Sequence, residues 1–78
     1  MITSEQIRAA RAMLRIEQRD LASASGVSLE TVKRIERAAG PISALTMTVD
    51  KLTRALESKG IEFTNGGQPG VRLKKTAT

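Results

Sequence analysis

Seventy-eight residues with thirteen Lys/Arg against eight Asp/Glu, a formal charge of +5, make one small basic domain and point to a polyanionic partner. The absence of cysteine and histidine excludes disulfides, thiolate and imidazole metal ligands, cysteine nucleophiles and histidine acid–base chemistry, so neither a metal nor a cofactor is expected. No apolar run approaches the roughly 20 residues of a bilayer span and no signal-peptide core precedes residue 15, which predicts a cytoplasmic chain with no membrane partner.

Thr3-Ser4-Glu5-Gln6 has the spacing of a capping box, so a first helix is expected from about Ser4, with Thr3 as N-cap and Gln6 reaching back to it. Ile7, Ala10 and Leu14, with Met13 beside them, recur at three- and four-residue steps to about Arg15 and leave Arg8 and Arg15 off the apolar stripe. Arg11 sits at the edge of that stripe, where an unpaired guanidinium is costly to desolvate. It needs a partner.

Glu17 takes the cap of a second helix, about Gln18 to Ala24, where Ser, Thr, Asp or Asn would cap better, so a weak start is expected. Leu21 and Ala22 share its inner face, while Arg19 and Asp20 point outward. Gly26 breaks this helix in a turn short enough to need a positive φ, Val27 points back inward, and Ser28 is placed to cap a third helix, about Leu29 to Arg37. Val32 and Ile35 give the third helix its inner face; Leu29, Glu30, Thr31, Lys33, Arg34 and Arg37 fall outside. Two short helices across so tight a turn form the pattern of a helix-turn-helix.

Ala38-Ala39-Gly40-Pro41 ends the third helix, with the glycine read as its C-cap. A cap within Ser43 to Thr48 opens a fourth, which begins between Ala44 and Met47, buries Val49, Leu52, Ala55 and Leu56, exposes Lys51, Arg54 and Glu57, and stops at Gly60. The period then changes to two: Ile61-Glu62-Phe63-Thr64 and Val71-Arg72-Leu73-Lys74 flank a turn from Asn65 to Gly70 and predict a small hairpin. Two strands this short are hardly stable alone, so the apolar residues Ile61, Phe63, Val71 and Leu73 are expected both to dock on the helices and to join a homodimer. The chain is thus read as a helical domain over 1–60 and a β segment over 61–78 that ends in a basic tail at Lys74-Lys75.

The run Gln18 to Glu36, with its Gln, Leu-Ala, Gly-Val-Ser, Thr-Val and Ile-Glu at fixed offsets, resembles the Xre-type, lambda-repressor-like helix-turn-helix regulators. The resemblance covers the four helices. It implies a mainly α, compact four-helix domain, here with a short C-terminal β segment. It also implies sequence-specific binding of double-stranded DNA by a transcriptional regulator, most simply a repressor, acting as a homodimer on a two-fold operator. Gln18 matches a glutamine that contacts a DNA phosphate and buttresses the third helix; Leu29, Glu30 and Arg34 match positions facing base edges; Ser28, Thr31, Lys33 and Arg37 match positions near phosphates or flanking bases. Arg11 and Glu36 match a buried ion pair between the first and third helices, which supplies the partner that burial of Arg11 demands. Glu17 stands where the family usually has Ser or Thr, and Leu29 where a polar reader is common.

Each residue also has a plainer reading. Arg34 either reads guanine O6 and N7 or is a solvated cation; Glu30 either accepts from cytosine N4 or favours the positive end of its helix; Leu29 either meets a thymine methyl or covers the turn. Two further functions share the scaffold: the antitoxin of a toxin–antitoxin pair, and a protein-interaction module, with a toxin or an antiactivator as protein partner. A lone aromatic, Phe63, argues against single-strand binding by stacking, and no two carboxylates converge as a hydrolytic mechanism would need, so no enzyme is expected. A bacterial or phage regulator of this kind would sit with the nucleoid.

Overall fold

The computed structural model describes residues 2–65 and 67–74; Gly66 of the expected turn and Lys75 of the expected basic tail lie outside the described residues. Chain order is α1 (Ser4–Leu14), α2 (Gln18–Ser25), α3 (Leu29–Arg37), α4 (Thr46–Ser58), β1 (Ile61–Thr64) and β2 (Gly70–Leu73). Thr3 caps α1 as its spacing predicts: its hydroxyl oxygen accepts from the Gln6 N–H at 3.1 Å, and Gln6 Oε1 accepts from the Thr3 N–H at 2.8 Å. Arg15 closes α1 in the left-handed region at φ 57°, the one non-glycine residue with positive φ among the described residues.

The α2–α3 turn follows from its residues. Gly26 adopts φ 76° and donates its N–H to the Ala22 carbonyl, and Ser28 Oγ then accepts from the Thr31 N–H at 3.2 Å to open α3. The weak cap at Glu17 is supported from within the helix, because the Asp20 carboxylate accepts from the Glu17 N–H at 2.8 Å.

Three local expectations shift. The C-cap of α3 is Ala38 in extended conformation, not Gly40; Gly40 lies farther on at φ 79°, where its N–H donates to the Glu5 carboxylate and its carbonyl accepts from the Ser4 N–H. That stretch is spent tying the loop to the start of α1. The N-cap of α4 is Leu45, which makes no side-chain cap, so the Ser and Thr of the 43–48 run do not supply one. β2 starts at Gly70 and ends at Leu73, because Thr64 pairs with Gly70 and Ile61 with Leu73 in the antiparallel register.

One core joins all four helices to the hairpin: Ile7 and Ala10 of α1, Leu21, Val27, Val32 and Ile35 of the helix-turn-helix, Leu52, Ala55 and Leu56 of α4, and Ile61 of β1, with Ile42 from the α3–α4 loop. Complete burial of side chains of this kind contributes about 1.5–3 kcal/mol each, which is where a domain this small finds its stability. The hairpin packs β2 against α1 and β1 against α4. A side chain holds it there: Gln6 Nε2 donates to the carbonyls of Thr64 at 3.0 Å and Gly70 at 2.9 Å, next to the turn. At the other end, the Lys74 N–H donates to the Gly60 carbonyl at 2.7 Å.

The hairpin docks on the helices as its apolar residues predict, each to a different depth. Ile61 is 1% exposed inside its own protomer's core, and Phe63 and Val71 are half-buried against that core; Leu73, at 43%, keeps an exposed apolar side chain. The opposite face carries Glu62 and Arg72, cross-strand neighbours joined by an ion pair.

Candidate nucleic-acid interface

α3 is amphipathic because its apolar residues fall three apart and its charged residues fill the rest of the turn. Val32 and Ile35 are buried, whereas Ser28 at its cap and Glu30, Lys33, Arg34 and Arg37 along it are exposed; Leu29 and Thr31 are half-buried. Ser28 and Thr31 are joined to each other at 2.9 Å between their hydroxyls. Glu30 and Arg34 stand four residues apart on the outer face and make no ion pair among the described residues, so the Arg34 fork keeps its donors for another acceptor.

What fixes the helix is charge as well as core. Glu36, on the inner face of α3, has a side chain only 3% exposed, and its two oxygens accept from Arg11 Nε and a terminal guanidinium nitrogen at 2.8 Å each. The remaining Arg11 nitrogen donates to the Ile16 carbonyl at 3.0 Å, which ties α1, the α1–α2 link and α3 together. The hydrogen bond to Glu36 raises the Arg11 pKa above its ordinary value, so the guanidinium stays charged. Gln18 completes the cluster, donating from Nε2 to Glu36 Oε1 at 3.2 Å. An amide nitrogen has two hydrogens, so Gln18 retains one donor at the N-terminus of α2.

Sequence reasoning left Arg8 outside this arrangement. The Arg8 guanidinium donates to the carbonyl of Glu36 and, at 2.9 Å, to that of Ala38, capping the C-terminal end of α3 from α1. The signal was available: Arg8 precedes Arg11 by three residues, so once Arg11 is turned toward α3, Arg8 shares its face. Gly40 also does more than end a loop. Its N–H holds the Glu5 carboxyl below its usual range, with Arg8 at 3.8 Å adding to the effect.

Two adjoining depressions beside α3 share Arg11, Gln18 and Lys33. One, of about 470 Å³, adds Arg8, Glu36 and Arg37; the other, of about 290 Å³, adds Glu17, Arg19 and Leu29. Because Arg11 consumes the charge of Glu36, the furrow's cations face little acid beyond Glu17, which lies 3.8 Å from Arg19. The structure therefore brings Gln18, Leu29, Lys33 and Arg37 to one basic furrow, floored by the Arg11–Glu36 pair. Ser28, Glu30, Thr31 and Arg34 are not among its walls; they remain on α3 and its cap. Among the described residues no helix is long and apolar enough to cross a membrane, and no group of His, Cys, Asp or Glu is placed to hold a metal ion.

A family model described as Helix-turn-helix matches residues 7–62, the span from α1 through the first residues of β1. No curated protein matches the chain.

Proposed function

We propose that this chain, which belongs to the Xre-type, lambda-repressor-like helix-turn-helix family, represses transcription as a homodimer that places α3 in successive major grooves of a two-fold operator. The family makes it a DNA-binding regulator. The observation that carries the finer reading is the division of α3: its inner face is locked by the core and by the bidentate Arg11–Glu36 pair, while its outer face offers Arg34, exposed and without an ion pair among the described residues, beside a basic furrow.

In this reading Gln18, through its spare donor and the free N–H groups at the start of α2, takes a phosphate oxygen, and Lys33 and Arg37 take neighbouring phosphates along the furrow. Ser28 and Thr31 serve phosphates or flanking bases at the N-terminus of α3. Arg34 reads a guanine, Glu30 a cytosine amino group and Leu29 a thymine methyl. Phosphate contacts supply affinity and base contacts supply discrimination, at about 1–3 kcal/mol for a good bidentate pair. With two copies bound, half-site centres lie about 34 Å apart.

Selection of bound sequences from random double-stranded DNA at two salt concentrations tests this. The expected product is a two-fold motif whose binding weakens steeply with salt. Uniform, purely salt-sensitive retention of all sequences would overturn it.

A further inference from the structure

We propose that a second copy of this chain docks on the face formed by the start of α4, Leu45 and Met47 of each copy entering the other's groove and Asp50 facing the other's Arg54. The inference rests on the homodimer reading above and assigns its contact surface. Leu45 and Met47 are 77% and 68% exposed, well beyond the other exposed large apolar side chains, Met13 at 42% and Leu73 at 43%. Two such side chains within three residues of one another, outside the core their own helix packs on, form a patch rather than scattered surface residues.

Beside them lies a place to put them. A groove of about 420 Å³ runs between the α3–α4 loop, α4 and β1, with Ile2, Ile42, Ala44, Val49 and Phe63 as its apolar lining and Asp50 and Glu57 among its polar residues. Thr46 and Asp50 belong also to the neighbouring depression around Met47, Lys51 and Arg54, so groove and projecting side chains form one continuous face. Phe63, half-buried against the core, lines this groove as well and so takes part in the proposed contact.

The charges decide what covers this face. Asp50, Lys51 and Arg54 are exposed, and none makes an ion pair among the described residues, although Asp50 and Arg54 stand at the four-residue spacing that favours one. A nucleic acid would call for one sign of charge here, and a strongly acidic protein likewise. A face that carries projecting apolar groups, a groove to receive them and charges of both signs is complementary to itself, as a two-fold contact between identical subunits requires. It also shares no residue with the walls of the basic furrow, so a dimer formed this way leaves the DNA face free.

The experiment is sedimentation equilibrium of the full chain over a concentration series, with three sets of variants. Leu45→Glu with Met47→Glu is expected to weaken dimerisation at least a hundredfold while helix content stays at the wild-type value, both residues being outside the core. Asp50→Arg alone and Arg54→Asp alone should each weaken the dimer, and an equimolar mixture of the two should restore it, because the mixed dimer pairs arginine with aspartate at both contacts. Leu73→Glu should leave the dimer intact. A wild-type dimer that survives Leu45→Glu/Met47→Glu, or charge variants that fail to rescue one another, overturns this surface and leaves the homodimer standing. A wild-type chain that is monomeric at every concentration and on its selected DNA overturns the homodimer and this inference with it.

Discussion

Replacing Arg11 by alanine strands a carboxylate. Glu36 has a side chain 3% exposed and takes its two 2.8 Å bonds from Arg11, so the Arg11→Ala variant leaves it with the single 3.2 Å bond from Gln18. Breaking one side of a buried pair in this way costs about 3–5 kcal/mol, because the remaining charge stays desolvated. At about 0.05–0.15 kcal/mol per residue, a 78-residue domain has roughly 4–12 kcal/mol in total. The variant should therefore lose about a quarter or more of its stability and melt roughly 12–40 °C lower, at about 4–8 °C per kcal/mol for a domain of this size. Urea unfolding followed by far-ultraviolet circular dichroism is the assay, with a lowered midpoint and an unchanged slope expected. Arg11→Met combined with Glu36→Leu removes both charges and should restore most of the loss, yet it also deprives Gln18 of its anchor, so DNA binding should stay weakened in a fully folded protein. A loss below about 1 kcal/mol for Arg11→Ala would refute the reasoning, since that is the magnitude of a solvated surface pair.

The hairpin clamp is tested by Gln6→Glu, which keeps an acceptor for the Thr3 N–H but can no longer donate to Thr64 and Gly70; two lost bonds should cost about 2–4 kcal/mol and speed amide exchange in β1 and β2. Wild-type exchange rates in the strands would show that packing alone holds them. Arg34→Ala should reduce the preference for the selected operator over random DNA by about 1–3 kcal/mol without moving the melting temperature, as measured by competition binding. Lys33→Gln, by contrast, should weaken binding to all sequences and lower the slope of log K against log salt by about 0.9; an unchanged slope removes Lys33 from the phosphate contacts. Glu5 gives an acid-side prediction. Its carboxyl is held low by the Gly40 N–H, so it stabilises the fold above the unfolded-state pKa, and that contribution disappears as pH falls through the folded-state value. Glu5→Gln should flatten the acid limb of stability against pH; an unaltered limb would show that the Gly40 contact does not persist in solution.

The local signals were read well because their physics is local. The Thr3–Gln6 box, the Gly26 turn and the Ser28 cap each involve groups within about four residues, where chain geometry alone settles who can reach whom. Burial of Arg11 could be inferred from its place on the stripe, and the demand for a partner followed from the cost of desolvating a charge; Glu36 as that partner came from the family resemblance. Cap identity was less legible at Leu45 and Ala38, where the residue types that favour capping stood nearby and the loop's path passed them over.

What the sequence determined by itself was therefore the set of helices, the turn between α2 and α3, and the exposure of the charged residues Glu30, Lys33, Arg34 and Arg37 on α3. Only the tertiary structure decided the contacts between distant segments: Gln6 meeting carbonyls 58 and 64 residues away, and Arg8 capping a helix 28 residues on. Periodicity states that a residue is turned inward or outward, and it is silent about which other segment arrives opposite. That depends on how four helices pack around one small core, and the same packing turned the hairpin's apolar face inward and left the start of α4 exposed.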